Sequence, residues 1–432
     1  MDWESLMTPV IVPLVKIALL IFALMTAAAY LVLLERWMAA WVQDRRGPNR
    51  VGIPLTNIKL FGLGQPLADG LKFIFKEEYT PAHVDKALFI LAPIAIMAAA
   101  LAIFAVIPFG SFLPLDLPGV IGPVWLVVAP GVDVGMIYVF ALSSIAVYGV
   151  ILGGWASNSK YSFLGALRSS AQLIAYEIPL GLGILGVVLA AGSLRLETII
   201  YAQAHTGLWY AFSQPLGFVV FLIAAFAEAA RLPFDLPECE QELIGGYHTE
   251  YAGMKLLLFL IAEFLHMVVA ALLITVLFLG GWHFWGMHVP ADAAQDVISW
   301  PMAILRVAVL LGKTMIVILF FMMVRWSWPR FRFDQLMNLA WKVMLPLGLV
   351  NLVTVAALVE YTHVRALEGE PVGLLATIVV GWVVALVAWT IAALMAPLHT
   401  DNRPRLDAWR PPDFEPEEMR GAPRVPLGSQ IR

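Results

Sequence analysis

Three glutamates lie inside or at the end of long apolar stretches: Glu177, Glu228 and Glu263. A bare charge at bilayer depth costs roughly 2.5–3.5 kcal/mol on insertion scales. Such groups therefore face a bundle interior or a wet cavity, and they pair there or exchange protons. Each acid alone could be half of a structural ion pair. Three at similar depth on three helices point instead to one shared polar chamber. Lys16, Arg306 and Lys313 also fall within apolar stretches. Pro179, two residues after Glu177, leaves the Ala175 carbonyl without its helical donor and kinks the chain there. Gly181, Gly183 and Gly186 follow and allow close packing or flexibility.

A second concentration of charge runs from Glu228 to Glu250. It holds six acids in 23 residues: Glu228, Asp235, Glu238, Glu240, Glu242 and Glu250. On a helix Glu238 and Glu242 would face one way and Glu240 the other. Like charges this close favour retained protons, so some could stay protonated near neutral pH. A solvated acidic loop is the plainer reading of a charge run. Pro233, Pro237 and the apolar residues between the acids argue against it. His248, in the same loop, reads as a structural histidine, and Cys239 as a small packed residue.

A third segment is basic. It carries Glu35-Arg36, then Asp44-Arg45-Arg46-Gly47-Pro48-Asn49-Arg50, then Gln65-Pro66-Leu67-Ala68-Asp69-Gly70-Leu71-Lys72. Residues 66–76 fit an amphipathic helix lying on the membrane surface. Leu67, Leu71, Ile74 and Phe75 would share one face, with Asp69, Lys72 and Lys76 away from it.

The elements that must hold these groups are membrane helices. Apolar residues make up 61% of the 432 and charged residues 13%, about half the usual charged share of a soluble domain. Nine stretches are long or nearly long enough to span: 10–34, 88–107, 132–153, 172–192, 214–230, 256–279, 302–324, 339–359 and 372–396. The fifth is short. The stretch 112–131 is broken by prolines and glycines and reads as an external loop with half a helix. Lys and Arg crowd the loops after spans 1, 3, 5 and 7. That places these loops inside, the N-terminus outside, and the Pro/Arg-rich tail 397–432 inside. The first residues do not resemble a signal peptide.

One cysteine excludes a disulfide framework, a Cys-x-x-Cys metal site and an iron–sulfur cluster carried by this chain. No nucleotide loop or His-Glu-x-x-His is present. No repeat appears, which disfavours an inverted-repeat transporter.

Several of these segments are also motifs. Gly47-Pro48-Asn49-Arg50-Val51-Gly52, Gln65 to Lys72, Gly154 to Ser162, Tyr176-Glu177, Arg231-Leu232-Pro233-Phe234-Asp235, Pro237 to Leu243 and Pro329 to Gln335 occur in this order. Over residues 30–361 the chain resembles the family of H-type membrane subunits of NADH–quinone oxidoreductase (complex I), the bacterial counterparts of mitochondrial NADH dehydrogenase subunit 1. The resemblance implies an all-α, polytopic bundle: an eight-helix core over 1–361, an added helix over 362–396 and a tail over 397–432. It implies a quinone, such as ubiquinone, as substrate. The quinone chamber would close against soluble partner subunits, which carry the NADH site, FMN and the iron–sulfur clusters. Antiporter-like membrane subunits would sit laterally, in a bacterial inner membrane. It assigns Arg36, Arg45 and Asp69 to the chamber. It assigns Glu177, Glu228, Glu238, Glu240, Glu242 and Glu263 to an acidic path that couples quinone reduction to proton translocation. Arg231, Asp235 and Arg325 match charged positions beside that path. The stretch Ile53 to Phe61 is longer than the family pattern. The membrane anchor of a membrane-bound hydrogenase or formate hydrogenlyase, and a stand-alone cation transporter, are the rival readings.

Overall fold

The structure is a computed structural model. It describes residues 11–52, 61–114, 124–236, 244–287, 289, 299–368 and 373–395. Two compact units divide the chain, 1–388 and 389–432. In the second unit the described residues, 389–395, are helical.

The helices in chain order are α1 (Val12–Val42), α2 (Gln65–Phe75), α3 (Lys86–Ile103), α4 (Gly135–Ala156), α5 (Lys160–Ala191), α6 (Leu196–Thr206) and α7 (Tyr210–Ser213). They continue with α8 (Pro215–Glu228), α9 (Gly253–Phe278), α10 (Trp300–Ser327), α11 (Phe333–Leu367) and α12 (Leu374–Met395). Among the described residues eight helices are long and apolar enough to cross a membrane. They coincide with eight of the nine expected stretches.

The fifth stretch, 214–230, becomes α8, which has only 14 residues. At 1.5 Å per residue that is about 21 Å, against a hydrocarbon core of about 30 Å. Helix α8 runs alongside α5 over the stretch from Gly186 back to Gln172. Gln214 at its start donates to the Gly186 carbonyl, near the C-terminal end of α5, at 3.3 Å. At its far end the Ala227 carbonyl accepts from Gln172, earlier on α5, at 2.9 Å. Helices α6 and α7 come between α5 and α8 in the chain. Protein rather than lipid covers the first turn of α8, where Asn351 of α11, itself buried, caps Gly217 N–H at 3.1 Å.

Helix ends depart from the hydropathy edges. Expected to end at 34, α1 continues to Val42; expected from 172, α5 starts at Lys160. Ser162, Ser169, Ser170 and Gln172 lower the hydropathy of α5 but are buried in protein. A helix satisfies its own backbone, so it continues past the apolar length. The half-helix expected in 112–131 is absent from the described residues. Phe112–Leu113 (β1) instead pairs antiparallel with Val124–Trp125 (β2), Phe112 opposite Trp125.

The four loops expected on the inside meet at one end of the bundle. Asp85 N–H reaches the Ala156 carbonyl, Asn158 reaches the His83 carbonyl, Lys255 reaches Thr80, and Phe331 N–H reaches the Pro233 carbonyl. Helix α2 lies here as the sequence predicts. Leu67, Leu71, Ile74 and Phe75 are exposed on it and available to lipid. Elsewhere small residues let helices approach closely. A Cβ on Gly149 of α4 would lie 2.9 Å from the Ile96 Cβ of α3.

Candidate functional site

At the loop-bearing end a cavity of about 650 Å³ opens between α1, α2, α9 and α10. This is within the roughly 300–1,000 Å³ of small-molecule sites. Ala28, Val32, Leu257 and Leu260 supply an apolar wall, and Arg36, Arg45, Asp69 and Lys72 line it with charge. The amphipathic phase of α2 turns Asp69 inward, where Arg36 of α1 holds it at 2.6 Å and Gln65 donates to it at 3.2 Å. Arg45 donates to Gln43 at 2.7 Å.

Charge also lines the cavity where four helices converge. Arg231, just after α8, is 4% exposed. Its Nη1 lies 3.3 Å from both carboxylate oxygens of Glu35 on α1, and its Nε 3.1 Å from Glu263 on α9. Arg325 near the end of α10 closes on the same Glu35 carboxylate. The Arg231 guanidinium stacks 4.3 Å from the Phe264 ring centroid, a cation–π contact. The result is an alternating chain of acid and base, Arg325–Glu35–Arg231–Glu263.

Asp235 extends the cluster into the loop and pairs with Arg330 at 3.2 Å. Burial pushes its carboxyl up to about 6. Glu263 adds to the rise, and Arg330, Arg325 and Arg231 oppose it. Its proton therefore exchanges near neutral pH.

Glu263 also lines a second, smaller cavity of about 60 Å³, deeper in the bundle. Glu177 of α5 and Glu228 of α8 line it with Ser143 and His266. Ser143 of α4 donates to Glu228 at 2.6 Å, and its neighbour Ser144 donates to Glu177. The three intramembrane acids predicted to share a chamber therefore do share one cavity. A volume of 60 Å³ exceeds the roughly 10–15 Å³ that admits a water.

The remaining expected site residues fall elsewhere. Glu238, Glu240 and Glu242, with Cys239, lie outside the described residues. Lys16 donates to the Val127 carbonyl at 3.2 Å. Lys313 and Arg306 sit at the other end of the bundle from the ion-pair chain. Lys313 donates to the carbonyls of Leu279, Gly281 and His283 at 2.5, 3.0 and 2.5 Å, and Arg306 to Ser111 at 2.9 Å. Sequence reasoning does not place Glu35, Ser143, Ser144, Arg330 or His266 in the site. Among the described residues no cluster of ligands could hold a metal.

A helical bundle with an ion-paired cavity at one end and a second cavity lined by three acids defines the class: a polytopic membrane protein. The family described as NADH dehydrogenase matches residues 15–356. An H-type subunit of NADH-quinone oxidoreductase from Geobacter metallireducens is 49% identical over 350 residues, 80% of this chain and 97% of that protein. The H-type subunit of the same enzyme from Flavobacterium johnsoniae is 42% identical over 354 residues, 82% of this chain and 97% of that protein. "NADH-quinone oxidoreductase subunit 8" of Rhodothermus marinus is 43% identical over 344 residues, 78% of this chain and 94% of that protein. The chain belongs to this family, the H-type membrane subunits of NADH–quinone oxidoreductase, complex I. Helix α12 lies beyond the matched residues.

Proposed function

We propose that the larger cavity receives a quinone head group, and that the charge change on its reduction passes through the ion-pair chain to the acids of the smaller cavity. The carrying observation is that Glu263 lines both cavities and pairs with Arg231 between them. The apolar wall suits an isoprenoid-bearing ring, and Arg36–Asp69 and Arg45 offer polar partners to its oxygens. NADH oxidation, FMN and the iron–sulfur clusters reside on soluble partner subunits at the loop-bearing face. Antiporter-like subunits sit laterally. Reduced quinone carries added negative charge until it is protonated. A negative charge near these cations competes with Asp69 for Arg36 and with Glu35 and Glu263 for Arg231. Any carboxylate that loses its cation becomes a stronger proton acceptor. The groups titrate together rather than singly.

Asp69→Asn tests the chamber. It breaks the ion pair with Arg36 while leaving the backbone and helix unchanged. Quinone reductase activity in membranes should fall severalfold, while NADH oxidation with a soluble artificial acceptor persists. Equal loss of both would mean failed assembly and would remove the support for the chamber.

Sidedness is a second test. The Lys- and Arg-rich loops gather at one end, which faces the cytoplasm of a bacterial inner membrane on the positive-inside rule. Nine passages of the bundle, α8 included, then place the N-terminus in the periplasm and the C-terminal tail in the cytoplasm. A reporter enzyme fused after residue 397 should be active on the cytoplasmic side. Periplasmic activity would show that α8 or α12 does not cross.

A further inference from the structure

The lining of the smaller cavity includes a histidine, His266, that neither the sequence motifs nor the family match assigns. His266 follows Glu263 by three residues on α9, a spacing that places both on one helix face. The groups around this cavity come from every neighbouring element: Ile96 from α3, Ser143 from α4, Glu177 from α5, Glu228 from α8 and Tyr247 from the turn 246–248. Arg231 pairs with the Glu263 that lines the cavity. Serine hydroxyls hold Glu177 and Glu228. Among the described residues the His266 ring makes no hydrogen bond to protein. An imidazole at depth requires partners, and the cavity has room for water.

We propose that His266 is a water-coupled proton carrier joining Glu263 to Glu177 and Glu228. The inference rests on the acidic-path reading above and adds a residue to it. One ring nitrogen takes a proton from water as Glu263 gives its proton to that water. The other nitrogen releases its proton through water to the Glu228 carboxylate. Glu263 ends deprotonated, Glu228 protonated and the ring neutral, so no proton is gained or lost. Imidazole suits this because its two nitrogens accept and donate in the same step.

The test uses the whole complex in proteoliposomes. His266→Asn and His266→Gln keep hydrogen-bonding groups but cannot titrate. Positioned proton carriers typically contribute 10²-fold or more, and cavity water retains part of the transfer. Quinone-linked proton pumping should therefore fall about tenfold. Added imidazole should restore pumping to His266→Ala, whose shortened side chain leaves space for the ring. A structural role would not produce that rescue. Parental pumping in both amide variants, or no rescue of His266→Ala by imidazole, would overturn the proposal, as would lost assembly in all three variants. Glu228→Gln, measured alongside, separates the two readings. Activity lost there but kept in the His266 variants rejects only the histidine. Activity kept in every variant rejects the acidic path itself.

Discussion

Arg231→Met should remove most of the assembled complex from membranes. Arg231 holds Glu35 and Glu263 at once, in a site only 4% open to solvent. Glu35 would keep Arg325. Glu263 would have no cation among its described ion pairs. Stranding a buried charge in this way costs roughly 3–5 kcal/mol, a large share of the roughly 5–15 kcal/mol by which folded proteins are stable. Arg231→Lys should recover only part, because an ammonium lacks the fork that spans two carboxylates. The informative variant is the double substitution Arg231→Met with Glu263→Gln. It removes the stranded charge together with its partner, so assembly should return most of the way. Glu263→Gln alone keeps the Arg231–Glu35 contacts and should assemble better than Arg231→Met. Immunoblots of membranes and native gels report these amounts. A double variant as depleted as Arg231→Met would show that Arg231 acts through packing on Phe264 rather than through charge.

Why this arginine matters is only partly legible in the sequence. Arg231 stands out because it opens a charged, proline-bounded motif. Its partner Glu35 does not. Glu35 lies 196 residues from Arg231 and 290 from Arg325, and local spacing carries no information over such separations. In sequence it is simply the first acid after an apolar run. The intramembrane acids are easier to find, because the membrane makes every buried charge conspicuous. Their grouping follows from depth alone. The serines that hold them do not, since a serine in an apolar helix usually bonds its own backbone. The helices themselves are legible as apolar length. Their ends are not, because Ser162 to Gln172 include polar residues buried in protein. The short α8 is the weakest stretch for a related reason. Its first turn is covered by protein, so it need not match lipid thickness. The surface helix α2 is readable because one period sorts its two faces, Leu67, Leu71, Ile74 and Phe75 exposed and Asp69 turned to the cavity.

Glu228→Gln should give the opposite result to Arg231→Met: a complex that assembles but turns over slowly. Glu228 has no ion pair among the described residues. Its partner there is the Ser143 hydroxyl, which donates to Oε1 at 2.6 Å. A glutamine carbonyl accepts the same hydrogen bond in nearly the same shape. No charge is stranded, so the penalty of roughly 3–5 kcal/mol for a broken buried pair does not arise. What disappears is the exchangeable proton. If the smaller cavity passes charge from the quinone site, every turnover must move through a group that can no longer accept it. Quinone reductase activity should fall by about tenfold or more, equivalent to roughly 1.4 kcal/mol on the limiting step. Electron transfer to a soluble acceptor should stay near normal, because it precedes the membrane step. Proton pumping in proteoliposomes should fall at least as far as quinone reduction. Ser143→Ala offers a graded companion. It removes the hydrogen bond and leaves the carboxyl, so it should assemble and lose less activity. A Glu228→Gln complex with full quinone turnover and full pumping would take Glu228 out of the path and leave it a hydrogen-bonding partner of Ser143.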